Sequence, residues 1–395
     1  MAGTIKKRAK GSYTIWWDEG RDPLTGKRRQ RNKSIKGTKR NAEAELRKIL
    51  TALDSGVYIK PTKLTVSDLL RQWLENYVDV SNNVRARTGE GYHMMCEKHL
   101  IPALGSIHLT QLQTAQIQSY YAQALQSGRA DGKGGLSART VKHHHRVLSE
   151  ALTWAVEENL LGRNVAKSAK PPKPVSREMG TLNEDNIDLL LEAARGGQYY
   201  YLFYLATYSG MRRSELLGLR WKDVDLHLGS LSVVQTLHRL ANQEIKTEAP
   251  KTAKSRRRIA LGPEMVVTMR QHKEHQEGVR DALGKPLTGN DLVFAKPDGS
   301  PMSPSTVSHA FLDLRRKIGL EGVHLHSLRH THATLLMKGG ENPKTVQERL
   351  GHSSIAVTMD IYSHVVPGIQ ELAAMNFEEG LRRNRTAKEE ESARR

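Results

Sequence analysis

A chain of 395 residues with 38% hydrophobic content, 14 prolines and 32 glycines has the composition of a folded globular protein and the length for two or three domains, which excludes wholesale disorder. No apolar run is long enough to span a bilayer, and the basic N-terminus lacks the apolar stretch of a signal peptide; the expected location is cytosolic, without membrane attachment. A formal net charge of +19 points to a polyanionic partner, nucleic acid first, while the single cysteine, Cys96, excludes an internal disulfide and argues against a cysteine-based zinc site.

Residues 1–63 hold 17 basic and 6 acidic side chains, more than half of the total excess, which marks residues 1–60 as a separate anion-binding module. Within it, Ser12 to Trp17 and Gln30 to Ile35 have the composition of strands, and the turn residues Asp22-Pro23 and Thr25-Gly26 between them predict a hairpin. From Lys39 to Leu53 the apolar positions Ala42, Leu46, Ile49, Leu50 and Leu53 form one helical stripe, so the module is a small sheet backed by a helix. Its expected DNA-facing side chains are Lys27, Arg28, Arg29, Arg31 and Lys33. Tyr13, Trp16 and Trp17 either offer an aromatic to DNA or, as sheet periodicity favours, pack under the helix.

Residues 64–163 have helical spacing throughout, from Leu69, Leu70, Trp73, Leu74 and Tyr77 to Val147, Leu148, Ala151, Leu152 and Ala155. Ser127 to Ser137 is a glycine-rich loop, and Ser137 is placed to cap a helix that opens with the basic residues Arg139 and Lys142. A basic helix start suits phosphate. The adjacent His143, His144 and His145 point in different directions, which disfavours a metal site, and they are expected to be surface or DNA-facing. Residues 164–176 are expected to be a proline-rich linker, followed by a mixed domain over 177–380 in which Ser230 to Val234 and Arg257 to Leu261 flank a polar insertion. Residues 381–395 form a charged tail without apolar periodicity, expected to be disordered or to dock only on a partner. The fold class is therefore multidomain and mainly α, with small β elements.

Three segments of the C-terminal half carry chemistry. Ser209-Gly210-Met211-Arg212-Arg213-Ser214-Glu215 is a glycine turn running into a helix, with Arg212 at the start, where its fork and the helix N–H groups can grip a phosphate together. Alone, such an Arg–Glu spacing is usually a surface ion pair. His326 and Arg329, three apart, share a helix face. The four histidines between His324 and His332 raise zinc, but no HExxH pattern, cysteine or neighbouring carboxylate supports it. Finally, Asn342 as cap, Pro343 at the first helical position and Gly351 past the end define a short helix that fixes His352 at a corner. The following helix, 354–364, carries Tyr362, which by itself would pass for a core residue.

Taken in order, these segments resemble the tyrosine recombinases, the family of phage and conjugative-element integrases. That family is marked by an arginine in a Thr/Ser-Gly-x-Arg-x-x-Glu segment, a lysine on a β-hairpin, His-x-x-Arg, Leu-Gly-His and a nucleophilic tyrosine about ten residues later. The carried-over positions are Arg212, Lys251, His326, Arg329, His352 and Tyr362, with Glu215 as a supporting carboxylate. Pro250-Lys251-Thr252 fits the family hairpin best, although Lys254 and Lys246 lie nearby. Residues 64–163 resemble the helical core-binding (SAM-like) domain and residues 1–60 the arm-binding domain.

The resemblance implies attack by Tyr362 on a DNA phosphate to give a 3′-phosphotyrosine, with no cofactor because the bond energy stays in the covalent link. The two arginines would neutralise the nonbridging oxygens, His352 would add a hydrogen bond, His326 and the cations would favour the phenolate, and Lys251 would protonate the departing 5′-oxygen. It further implies a homotetramer on core and arm sites of double-stranded DNA, a Holliday-junction intermediate, exchange of the C-terminal segment between protomers, and an excisionase and a host DNA-bending protein as accessory partners. A type IB topoisomerase shares the chemistry but has no use for an arm-binding module. A regulator using the fold without catalysis is disfavoured by the complete residue set, and a zinc or RNA-binding protein is the distant third.

Overall fold

A computed structural model describes residues 3–21, 26–54, 63–80, 84–175, 180–240, 242, 244–249, 255–362, 374–375 and 377–383, with the side chains of 360–362 outside the description. Lys251 and Lys254 lie outside the described residues. The chain divides into two compact units, Met1–Ser176 and Arg177–Arg395.

The first unit opens with an antiparallel sheet, β1 (Thr4–Ala9), β2 (Ser12–Arg21) and β3 (Arg28–Lys36), followed by α1 (Lys39–Asp54). Ile15 lies opposite Ile5 and Lys33, and Trp17 opposite Arg31. Residues directly opposite share a face. Ile5, Tyr13, Ile15, Trp17 and Ile35 therefore line the side that packs with Ala42 and Leu46 of α1. Trp17 is buried there rather than offered to a ligand.

The helical part comprises α2 (Val66–Trp73), α3 (Ala86–Met95), α4 (Ile101–Leu104), α5 (Thr114–Ser127) and α6 (Ala138–Glu157). Thr65 and Asp68 close α2 with a reciprocal capping box, and Ser137 caps α6 through the Thr140 amide. After α2 and α3 the chain widens into π-helical turns at Leu74–Val78 and Cys96–Leu100. Trp73, Leu69, Leu70, Ile117, Tyr121, Leu148 and Leu152 are fully buried between these helices. Val165–Ser168, in the proline-rich stretch, is a 3-10 turn capped by Asn164, and Ala166 and Ala169 join the same core. Gln118 then holds both backbone groups of Lys170 at 2.9 and 3.0 Å, so extended chain begins only after this residue.

One expectation is corrected in α6. His144 is 1% exposed, and its Nδ1 meets the Tyr120 hydroxyl at 2.7 Å; His145 meets the Tyr121 hydroxyl at 2.6 Å. Helical geometry turns consecutive residues through about 100°, so only His143 of the three is exposed.

In the second unit, α7 (Glu184–Ala194), α8 (Tyr200–Ser209) and α9 (Arg213–Leu217) precede a sheet in which β5 (Ser230–Val233) lies between β4 (Val224–Asp225) and β8 (Arg257–Ala260). The polar insertion between β5 and β8 holds a hairpin of its own, β6 (Thr236–Arg239) with β7 (Ile245–Glu248). Helices α10 (Pro263–Ala282), α11 (Pro304–Lys317), α12 (Ser327–Lys338), α13 (Pro343–Leu350) and α14 (Ile355–Tyr362) complete it. Leu190, Leu205, Leu216, Ile259, Val293, Phe311 and Leu328 form the main core, and Ala333, Met337, Val346 and Leu350 pack α12 on α13 beside it. Helix α8 ends on Gly210 at φ +63°, where a Cβ would stand 2.5 Å from Leu350 and 2.7 Å from His332. Only glycine fits there. Residues 377–383, which include the start of the expected unstructured tail, are helical, with Arg383 paired to Glu379 at 2.7 Å.

Candidate functional site

Helix α13 is built as its sequence requires: the Asn342 side chain accepts from the Lys344 amide, Pro343 occupies the first turn, and Gly351 terminates the helix at φ +66°. Its last carbonyls have no intrahelical partner and carry the negative end of the helix dipole. Arginines from three other elements take three in succession. Arg257 donates through Nε to the Arg349 carbonyl at 2.7 Å, Arg329 through Nη2 to Leu350 at 2.6 Å, and Arg212 through Nη2 to Gly351 at 3.2 Å. Arg329 also donates to the Gly210 carbonyl at 2.8 Å, tying the α8 turn to the same point.

Glu215 closes the cluster. Its carboxylate is 2% exposed and accepts from Arg212 Nη1 at 2.7 Å and from both terminal nitrogens of Arg257 at 3.1 and 2.8 Å. Burial would raise its pKa, but the bonds and charges of Arg257 and Arg212 prevail and hold it below the usual carboxylate range. Burial pulls the Arg329 guanidinium down to about 9, helped by the charge of Arg212, so it is still a cation at neutral pH. Three guanidiniums thus stand around one carboxylate, two of them bonded to it. The surplus positive charge suits a phosphodiester. Arg212, with its side chain 35% exposed, is the member open to a ligand.

His352 follows the αL turn and is 8% exposed, its Nδ1 2.9 Å from the Thr358 hydroxyl of α14. Burial, then the positive charges of Arg329 and Arg212, push its imidazole down to about 4, so the ring is neutral at pH 7. Tyr362 is the last residue of α14, four residues after Thr358. His326 stands immediately before α12, its ring 5.1 Å from that of His330. Desolvation, His330 and the nearby arginines disfavour its charged form, although the residue is exposed and water tempers the shift.

The described residues therefore bring Arg212, Arg329, His352 and Glu215 together around one helix end. Sequence reasoning missed Arg257, whose signal is weak because its partners are 42 and 92 residues away. Lys246, on β7, is exposed. In the first unit, Arg139 and Lys142 are exposed on α6 along with Arg146 one and two turns on. The basic set of β3 is partly engaged: Arg28 pairs with Asp18 at 2.5 Å, Arg31 with Glu19 at 3.5 Å and Lys33 with Glu45 at 2.7 Å. Among the described residues no group of His, Cys, Asp and Glu is arranged to hold a metal ion, and no helix is long and apolar enough to cross a membrane.

Comparison with known proteins matches residues 180–367 to the phage integrase family and residues 65–125 to the phage integrase N-terminal SAM-like domain. A tyrosine recombinase XerC-like protein of Caldanaerobacter subterraneus subsp. tengcongensis is 28% identical over 84% of this chain and 87% of its own length. The ICEBs1 integrase of Bacillus subtilis is 25% identical over 96% of this chain and 100% of its own. Among solved structures, the Tn1549 transposon integrase in complex with a circular intermediate DNA shares the fold at a TM-score of 0.66 and 21% identity, over 80% of this chain and 99% of that one. A lambda integrase dimer bound to a core site does so at 0.57 and 23%, over 90% and 93%. With the arginine cluster, the Leu-Gly-His corner and a tyrosine at the end of α14 in one fold, this chain belongs to the phage integrase family of tyrosine recombinases, enzymes of site-specific DNA recombination.

Proposed function

We propose that Tyr362 is the nucleophile of this recombinase and that Arg212, Arg329 and His352 bind the scissile phosphate. The observation that carries this is the convergence of both arginines on the carbonyls of Leu350 and Gly351, next to His352, whose partner Thr358 precedes Tyr362 by four residues in α14. The phenolic oxygen attacks phosphorus, the P–O5′ bond breaks, and a 3′-phosphotyrosine and a free 5′-hydroxyl result. Attack of another strand's 5′-hydroxyl reverses the step, so phosphodiesters are conserved and no cofactor is consumed. The arginines stabilise charge on the nonbridging oxygens, neutral His352 donates to them, and His326 accepts the phenolic proton. Lys251 on the segment before β8 supplies the proton to the 5′-oxygen.

In this reading residues 177–380 are the catalytic domain, 64–163 grip the core site through Arg139 and Lys142, and 1–60 bind arm sites through the basic residues from Lys27 to Lys33. Four copies act on two DNA segments in the cytoplasm of a bacterial host, integrating and excising a phage or conjugative element, with an excisionase and a DNA-bending protein setting direction. The decisive test is a nicked suicide duplex of the attachment site. Wild-type protein is expected to become covalently joined to the 3′ end and Y362F to form no adduct; an adduct at the wild-type rate in Y362F would overturn the assignment, and relaxation of supercoils without strand exchange would favour a topoisomerase.

A further inference from the structure

We infer that Arg257 is a positioning residue for the recombination reaction: it occupies the buried Glu215 carboxylate and the α13 end together, and so leaves Arg212 directed at the phosphate. The inference rests on the reading of Arg212 as a phosphate ligand.

The geometry is specific. Arg257 begins β8, its side chain is 5% exposed, and it lies beneath the site rather than in it. Its two terminal nitrogens take both oxygens of Glu215, while Nε takes the Arg349 carbonyl; Nη1 also reaches the Ser255 carbonyl at 3.2 Å. A Cβ built on Gly351 would stand 3.0 Å from its Cδ and 3.1 Å from its Nη1, so the guanidinium is packed against the very turn that presents His352. One planar fork thus fixes the carboxylate and the turn relative to each other, which a lysine cannot do.

Charge gives the fork its consequence. Glu215 is too buried to be solvated, so its negative charge must be met by neighbouring cations. With Arg257 in place, Arg212 spends Nη1 on Glu215 and Nη2 on the Gly351 carbonyl, keeping a partly exposed guanidinium. Without Arg257, Arg212 is the remaining partner of a buried anion and is drawn onto it, neutralised and turned from the substrate. In sequence, Arg257 begins β8 six residues after Lys251, the candidate acid.

The test measures covalent adduct formation in single turnover at saturating suicide DNA, with R257K and R257M made in the wild-type and R212K backgrounds. Adduct amplitude reports the folded fraction; rate reports the site. In the wild-type background both variants are expected to slow the rate about tenfold to a hundredfold, with DNA affinity within about threefold, and in R212K to add little, since the effect passes through Arg212. Equal losses in both backgrounds, a wild-type rate, or a fall in amplitude at constant rate would each overturn the inference. R257K, which keeps the charge, serves if R257M does not fold. A wild-type protein that forms no adduct at all would instead defeat the underlying functional reading.

Discussion

Arg329 and Arg212 hold the carbonyl oxygens of consecutive residues, Leu350 at 2.6 Å and Gly351 at 3.2 Å. The preceding oxygen belongs to Arg257. A helix end that would otherwise bury unpaired acceptors is thereby completed by cations, and the cations are in turn oriented by the helix. Fold and site are the same set of bonds.

Gly351→Ala tests that dependence. A side chain at φ +66° costs about 1–2 kcal/mol, and here its Cβ would also press on the Arg257 side chain at 3.0 Å. The variant is expected to melt several degrees lower and to form the covalent adduct more slowly even among folded molecules. Unchanged melting and an unchanged single-turnover rate together would show that the turn tolerates a Cβ and that its geometry is not limiting.

For Arg329→Lys the expectation is a loss of reaction out of proportion to the loss of binding. An ammonium can keep one of the two carbonyl bonds of Arg329 but cannot span both, so the charge moves off the phosphate. Adduct formation should fall about a hundredfold to a thousandfold, the range for removal of one transition-state donor. Gel-shift affinity measured beside it should change little; a parallel drop in both would mean that Arg329 serves DNA binding alone.

His144 predicts an acid limb in stability. Its ring is neutral in the fold, with burial first and then His99 and His143 depressing it to about 4, against 6.5 for an exposed imidazole. Below pH 6.5 the unfolded chain takes up a proton that the folded chain refuses. The stabilisation is therefore complete above that pH and is lost as pH falls towards 4, by up to about 3 kcal/mol from this one group. Thermal melts from pH 7.5 to 4.5 should be flat and then decline, with a shallower decline for His144→Asn; identical profiles for the two proteins would remove His144 from the account.

Binding to DNA should report α6 through salt. Arg139, Lys142 and Arg146 are exposed along one side of the helix, where successive phosphates can be met. Each replacement by alanine is expected to lower the slope of log affinity against log salt by about 1 while weakening binding alike on cognate and unrelated duplexes. A slope that stays constant in the triple variant would place the core-site contact elsewhere.

What could be read from the sequence depended on how local its cause was. The α13 helix is legible to the residue because Asn342, Pro343 and Gly351 act within a turn of their own positions. Arg212, Arg329 and His352 are legible as motifs, yet their meeting at one helix end needs the Gly210 turn and the α12 packing, which no spacing encodes. His144 was misplaced because a run of three histidines looks polar, whereas one helix direction in three faces the core. Arg257 was invisible for a different reason: in a run of three consecutive arginines, Arg256 to Arg258, nothing marks the one whose partners sit on α9 and α13. The β6–β7 hairpin was hidden by the polarity that made its segment look like an insertion.

Because the tethers of Arg212 and Arg329 run to peptide oxygens, they are indifferent to which side chains residues 350 and 351 bear and responsive only to how the backbone bends there. Side-chain changes around this bend leave both acceptors in place, provided that residue 351 can adopt a left-handed torsion. The demand at this corner is for a shape rather than for a partner, and the residue without a Cβ is the one that meets it.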